Sequence, residues 1–164
     1  MGRSEDESAL HAFVEGRRGA LYRSAYLLCG DRDEAEDLVQ TALVKVVLGG
    51  RRLGRIENLE AYARGALVKT FIASRRRFWR REQAYGEVPD RAEESTDADT
   101  GIAVRAALAG LNATQRAVLV LRYWEDLSIA DTAALLGIRE NTVKSHAARG
   151  LAALRAEVRE ETFT

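Results

Sequence analysis

The sequence predicts an all-α protein of two small helical domains joined by a flexible acidic linker. Apolar residues recur at spacings of three and four along most of the chain, the period of an amphipathic helix. One proline, Pro89, interrupts 164 residues, which argues against a turn-rich β architecture. Residues 86–100, GEVPDRAEESTDADT, hold six acidic groups, one basic group and little apolar material. Such a segment cannot bury enough surface to offset its ordering entropy. The expected layout is a first domain over residues 8–85, a linker over 86–101 and a second domain over 102–160. At about 75 and 60 residues, each half makes only a marginal core.

In the first domain, Leu10, Phe13, Val14, Leu21, Tyr22, Ala25 and Leu28 form one stripe. That helix should stop near Cys29-Gly30, where glycine supplies a C-cap. Asp31 opens a second helix, with Glu34 three residues on as the partner of a capping box. This helix should bury Ala35, Leu38, Ala42, Leu43 and Val46 and end at Gly49-Gly50. Asp37 and Gln40 then fall on its outward face with Asp33 and Lys45. The Arg-rich stretch GGRRLGRIEN reads as a loop, and Asn58 as the N-cap of a third helix from Leu59 to about Glu82. Near that helix's end, SRRRFWRRE places Arg75, Arg76, Arg77, Arg80 and Arg81 within two turns, interleaved with Phe78 and Trp79. Five clustered cations repel one another unless they meet anions, and phosphate is the natural one. The two aromatic rings have two readings, stacking on unpaired bases or packing in the core.

The second domain carries the strongest local signal, SIADTAALLGIRENTVKSHAARGLAAL. Ser128 is an N-cap candidate with Asp131 at N3. Ala133, Gly137 and Val143 then meet the demands of two helices crossing at a steep angle. They supply a small residue at the crossing, a turn residue tolerant of the left-handed region, and an apolar anchor pointing back. The second of these helices presents Arg139, Asn141, Thr142, Lys144, Ser145, His146 and Arg149 as donors for phosphates and base edges.

Composition narrows the alternatives. One cysteine and two histidines exclude a disulfide framework and a His/Cys metal cluster. Cys29 reads as a small buried residue rather than a redox sensor. No acid cluster, nucleophile–base pair or P-loop is legible, so the expectation is a non-enzyme with no cofactor and no metal. No apolar run approaches ~18 residues, and the opening MGRSEDESAL is charged where a signal peptide has its apolar core. A soluble, cytoplasmic protein without membrane insertion is expected.

The segment LNATQRAVLVLRYWEDLSIADTAALLGIRENTVKSHAARGLAALR resembles region 4 of bacterial sigma factors, and GDRDEAEDLVQTALVKV resembles region 2. Together they cover nearly the whole chain in the right order. The layout is similar to that of the extracytoplasmic-function (ECF) group, and AYLLCGDRDEAEDLVQ and SRRRFWRRE to its actinobacterial, SigE-like branch. The resemblance implies a transcription initiation factor that binds RNA polymerase core through the β′ clamp and the β flap. Asp37, Gln40 and Thr41 would contact the clamp, with Thr41 standing where many members have glutamate.

The resemblance further implies capture and melting of the −10 element by Asn58, Tyr62, Lys69, Arg75, Arg76, Arg77, Trp79 and Arg80. Tyr62 is the aromatic nearest the strand-separation position, with core packing as its competing role. Lys69 replaces the usual asparagine and has no acceptor with which to read a base, and Gly65 falls where the branch often has arginine. Arg139, Asn141, Thr142, Lys144, Ser145, His146 and Arg149 would read the −35 element, and Ala148 removes one apolar contact there. His146 is expected to be exposed. The linker would act as an RNA-like polyanion in the RNA exit channel or as a plain tether. Promoter DNA is the implied nucleic acid, and an anti-sigma factor an implied further partner. The competing reading is a stand-alone helix-turn-helix regulator, which has no need for both EDLVQ and the Arg-rich helix.

Overall fold

The computed structural model describes residues 3–53, 56–85, 106–108 and 110–163; the expected linker lies outside them. The described residues form helices and short turns, with no strand among them. The N-terminal half consists of α1 (Arg3–Cys29), α2 (Arg32–Leu53) and α3 (Ile56–Tyr85). In the C-terminal half, α4 (Ala113–Leu119) runs into a π-helical turn (Val120–Trp124), followed by α5 (Ile129–Leu136) and α6 (Glu140–Phe163).

α1 ends at Cys29 as the spacing predicts. Asp31 precedes α2 and accepts the Asp33 amide on Oδ1 at 3.0 Å, while its carbonyl takes the first helical bond from Ala35 at 2.9 Å. Glu34, the expected partner of a capping box, points its Oε2 at Arg75. The five α2 residues predicted to be inside are all buried. Two boundaries depart from expectation. α2 continues through Gly49 and Gly50 to Leu53, and α3 starts at Ile56, so most of the predicted loop is helical and Asn58 is not an N-cap. Propensity charges about 1 kcal/mol for each helical glycine. Here the ring of Tyr62 occupies the space a Gly49 side chain would need, with Cζ and Oη 3.0 Å from an added Cβ.

In the C-terminal half, Asn112 and Gln115 form a reciprocal capping box that sequence reasoning missed. Asn112 Oδ1 accepts the Gln115 amide at 2.8 Å, and Gln115 Oε1 accepts the Asn112 amide at 3.4 Å. Ser128 Oγ caps α5 by accepting the Asp131 amide at 3.0 Å. Gly137 follows with φ 67° and ψ 35°, the left-handed conformation that the turn requires. Ala133 and Val143 are buried against Val118, with Ile129, Leu136 and Ile138 around them. The predicted small residue, turn and anchor therefore assemble as one crossing.

The largest core lies inside the N-terminal bundle around Phe71, Leu28, Leu67 and Val46, but it is not confined to that half. Ala117, Val120 and Leu121 are buried members of the same cluster, and Leu127, Leu135 and Leu136 pack against it. A side chain fully buried there contributes about 1.5–3 kcal/mol, so each half supplies what the other lacks as a small domain.

A second cluster joins Leu108, Leu111 and Leu119 to Leu151 and Leu154 of α6, and Gly150 is buried beside it. A Cβ added at Gly150 would lie 2.8 Å from Leu119 Cδ1 and 3.0 Å from its Cγ. Leu119 is itself buried and has no free direction in which to yield. Gly150→Ala should therefore cost roughly 1–3 kcal/mol by overpacking, measured as a lower urea midpoint with an unchanged slope.

Candidate nucleic-acid interface and docking faces

α2 exposes Asp37, Gln40 and Thr41, all predicted to face outward. The same face continues with residues that sequence reasoning passed over: Val44 is 57% exposed and Leu48 73%, with Val47 along its edge at 41%. Taking α2 at 100° per residue, Asp37, Thr41, Val44 and Leu48 fall within a narrow arc. Three turns of one helix thus present acid and amide at one end and bare aliphatic carbon at the other. α2 carries more apolar residues than one inward stripe can use, and that surplus was the available signal. Solvated helix faces do not normally gather large aliphatics in a row; docking surfaces do.

α3 bears the cationic stripe. Tyr62, Lys69, Arg76, Arg77, Arg80 and Arg81 are exposed, and Tyr62, Lys69, Arg76 and Arg80 recur at 3.6-residue multiples along one line. From Tyr62 to Arg80 this line spans roughly 27 Å at 1.5 Å per residue. The side chains of Asn58 and Trp79 lie outside the described ones. Arg75 stands apart from the other arginines. One Nη donates to the Cys29 carbonyl at 3.3 Å and to Glu34 Oε2 at 3.4 Å, and its guanidinium lies 5.3 Å from the Phe71 ring centroid. Its nearby partners give it a structural job at the end of α1. Lys45 Nζ, on α2, donates to Thr70 Oγ1 at 3.0 Å and ties α2 to the α3 stripe.

α6 is the second helix of the helix-turn-helix. Arg139 just before it, and Asn141, Lys144, Ser145 and Arg149 within it, are exposed, while Thr142 is half-buried. His146 departs from expectation in being half-buried, with Nδ1 inside and no partner for it among the described residues. Burial, and then the nearby Arg149 charge, hold its imidazole below the usual histidine range, so the neutral form prevails at pH 7.

Cys29 is half-buried, its Sγ donating to the Asp31 carbonyl at 3.3 Å. Burial pushes the thiol up to about 12, and neighbouring Glu34 and Asp31 add to the rise against the opposing pull of Arg75. Among the described residues no group of three or more His, Cys, Asp or Glu side chains could hold a metal ion. No helix among them is long and apolar enough to cross a membrane.

Together these elements form a helix-turn-helix with a donor-bearing outer face, a second, cationic helix and a separate face of acid, amide and aliphatic groups, the surface chemistry expected of a DNA-binding factor. Residues 13–81 match the family described as sigma-70 region 2, and residues 102–154 the family described as sigma-70 region 4. The chain is 40% identical to an RNA polymerase sigma-E factor of Streptomyces coelicolor, over 89% of this chain and 84% of that protein. It is 32% identical to the ECF RNA polymerase sigma factor SigM of Mycobacterium tuberculosis, over 93% and 85% of the two chains. In three dimensions it matches the sigma factor RpoE of Bartonella quintana, solved in complex with the anti-sigma factor NepR. The TM-score is 0.70 at 26% identity, covering 93% of this chain and 96% of that one.

The chain belongs to the ECF group of the sigma-70 family. It is an alternative sigma factor, directing promoter-specific transcription with RNA polymerase.

The raised Cys29 thiol gives a pH prediction. At pH 8 the folded chain should react with a disulfide reagent on the order of 10³-fold more slowly than the denatured chain, because so little thiolate forms. Its contribution to stability is complete below the unfolded thiol value and is lost as pH rises toward about 12. Reaction of native and urea-denatured protein, followed by absorbance, checks the rate ratio.

Proposed function

We propose that residues 8–85 perform polymerase docking and −10 melting, that 86–101 act as the tether, and that 102–160 read the −35 element. The observation that carries this division is the separation of three exposed faces on three helices. α2 offers Asp37, Gln40 and Thr41 beside Val44 and Leu48. Acid and amide groups suit basic and hydrogen-bonding side chains on polymerase, and the aliphatic end supplies the desolvated patch from which binding energy comes.

The α3 line divides its work along its length. Arg76, Arg77 and Arg80 hold backbone phosphates, and Lys69 adds a further point charge. Tyr62 offers a ring on which an unstacked base can lie. Asn58 and Trp79, whose side chains lie outside the described ones, belong to the same helix and complete the proposed −10 set. Arg75 acts indirectly by fixing the end of α1 against α3. With lysine at 69, the strand is held more than read at that position.

α6 lies in the major groove with Lys144, Ser145 and Arg149 toward base edges and phosphates, and Arg139, Asn141 and Thr142 toward the backbone at its N-terminus. His146, neutral and half-buried, supports the helix flank and offers its remaining ring nitrogen. All of this chemistry is binding, so the factor is non-catalytic, needs no cofactor and works in the cytoplasm where polymerase is. The solved neighbour's anti-sigma partner makes a protein antagonist of the same kind part of this proposal.

Variants should separate these tasks. Lys144→Ala with Arg149→Ala should abolish −35 binding and leave core affinity intact. Asp37→Ala with Gln40→Ala should do the reverse. Core affinity by fluorescence anisotropy and promoter binding by mobility shift check both; equal loss of one step in both pairs contradicts the division.

A further inference from the structure

Tyr62 reaches from α3 to α2 and comes to rest at Gly49. A Cβ added at Gly49 would lie 3.0 Å from Tyr62 Cζ and Oη and 3.3 Å from Cε1, so a larger residue there would push the ring off its seat. At 40% exposure the ring still presents much of its surface to solvent. A second group lies further along the same two helices. Lys45 is one turn before Gly49 on α2, and Lys69 two turns beyond Tyr62 on α3. Both lysines are exposed, and Lys45 Nζ donates to Thr70 Oγ1 at 3.0 Å, which draws it toward α3 beside Lys69.

Lys45, Tyr62 and Lys69 line one cavity of about 910 Å³, with Asp131 and Leu135 of α5 also on its wall. That volume is ordinary for a site that takes a small group. Neither ammonium forms an ion pair among the described residues. Two cations drawn together and left unpaired mark a place for anions. We propose that Gly49, Tyr62, Lys45 and Lys69 form one subsite for single-stranded DNA. An unpaired base stacks on the ring that Gly49 seats, and Lys45 and Lys69 each hold a backbone phosphate, with Thr70 positioning Lys45. This deepens the proposed role of α3, rests on it, and brings α2 into strand capture.

Two features separate this subsite from a solvated helix face. The first is the seat. Glycine within a helix costs about 1 kcal/mol relative to alanine, and at 49 the missing side chain is what lets an exposed ring lie fixed across two helices. A ring already held in place loses little freedom when a base stacks on it. Spacing supplies the second. Tyr62 and Lys69 are about 10 Å apart along α3 at 1.5 Å per residue. A stacked strand covers that length in about three steps of 3.4 Å, so the phosphates held lie two or three nucleotides from the stacked base. Lysine offers donors and charge without an acceptor, and a phenol ring stacks on any base. The subsite therefore holds a strand whatever its sequence, and it selects against duplex, whose base faces are covered.

The test uses the full chain in holoenzyme and a fluorescent −10 non-template oligonucleotide, read by anisotropy against polymerase core alone. Gly49→Leu fills the seat with a good helix former, so it should lower affinity about tenfold, within what one stacked base contributes. The urea midpoint of the free chain should stay unchanged or rise. Tyr62→Ala should lose a similar factor, and Gly49→Leu with Tyr62→Ala should lose no more than Tyr62→Ala alone. Lys45→Ala should weaken binding and reduce its salt slope by about 0.7, the value for one single-strand phosphate. Thr70→Val should also weaken binding, and Thr70→Ser should restore it. Additive losses in the double variant, or an affinity that falls only together with the urea midpoint, overturn the seat. An unchanged salt slope in Lys45→Ala overturns the phosphate contact. If Tyr62→Ala and Lys69→Ala leave oligonucleotide binding as it was, the reading of α3 fails and the subsite with it. If those two weaken binding while Gly49→Leu and Lys45→Ala do not, the reading of α3 stands and the subsite alone fails.

Discussion

The end of α1 is the point on which the rest depends. A helix C-terminus leaves carbonyls without intrahelical donors, and buried carbonyls must find partners. Here Leu28 is fully buried, and the donors are two arginines from distant parts of the chain. Arg116 of α4 donates to the Leu28 and Leu111 carbonyls, and Arg75 of α3 to that of Cys29. Both guanidiniums lie over the ring of Phe71, at 5.6 and 5.3 Å, and the ring quadrupole offsets part of what it costs to bring two cations together. Burial, with Arg75 close by, brings the Arg116 guanidinium down to about 10, still charged at neutral pH.

This arrangement binds the C-terminal half to the N-terminal bundle by backbone groups and not by apolar contact alone. Arg116 is committed inward, so α4 is committed with it, and Val120 and Leu121 follow into the larger core. With those residues inside, the chain turns at Val120–Trp124 by a π helix, and Glu125 emerges facing α1 and α3. The first helix of the helix-turn-helix packs on α3 through Leu135, and Lys144, Ser145 and Arg149 of its second helix stay exposed. The outer faces of α2, α3 and α6 remain in solvent because their inner faces are packed.

Much of this was legible in the sequence, for identifiable reasons. The inward stripe of α2 and the Ala133–Gly137–Val143 crossing were readable because spacing and residue size determine them locally. The outward Asp37, Gln40 and Lys144 follow from the same periodicity by exclusion. What failed to show depends on contacts distant in sequence. Gly49 and Gly50 read as a stop, yet Tyr62 packs against Gly49 and the helix runs on to Leu53. Arg75 read as one of five equivalent cations, yet Glu34 and the Cys29 carbonyl draw it inward. His146 read as exposed because it lies in a polar stretch, although at 100° per residue it falls well off the Asn141–Lys144–Ser145 face. The shared core was invisible because the period of an apolar stripe tells that a face is covered and not what covers it.

One core, built by both halves around Phe71, holds the free chain together. Hydrogen exchange on the free protein tests it most directly. Residues 63–72 of α3 and 117–121 at the end of α4 should exchange through one common opening, with the same free energy and the same denaturant dependence. Loss of protection in 117–121 at low denaturant while 63–72 remain protected would contradict it.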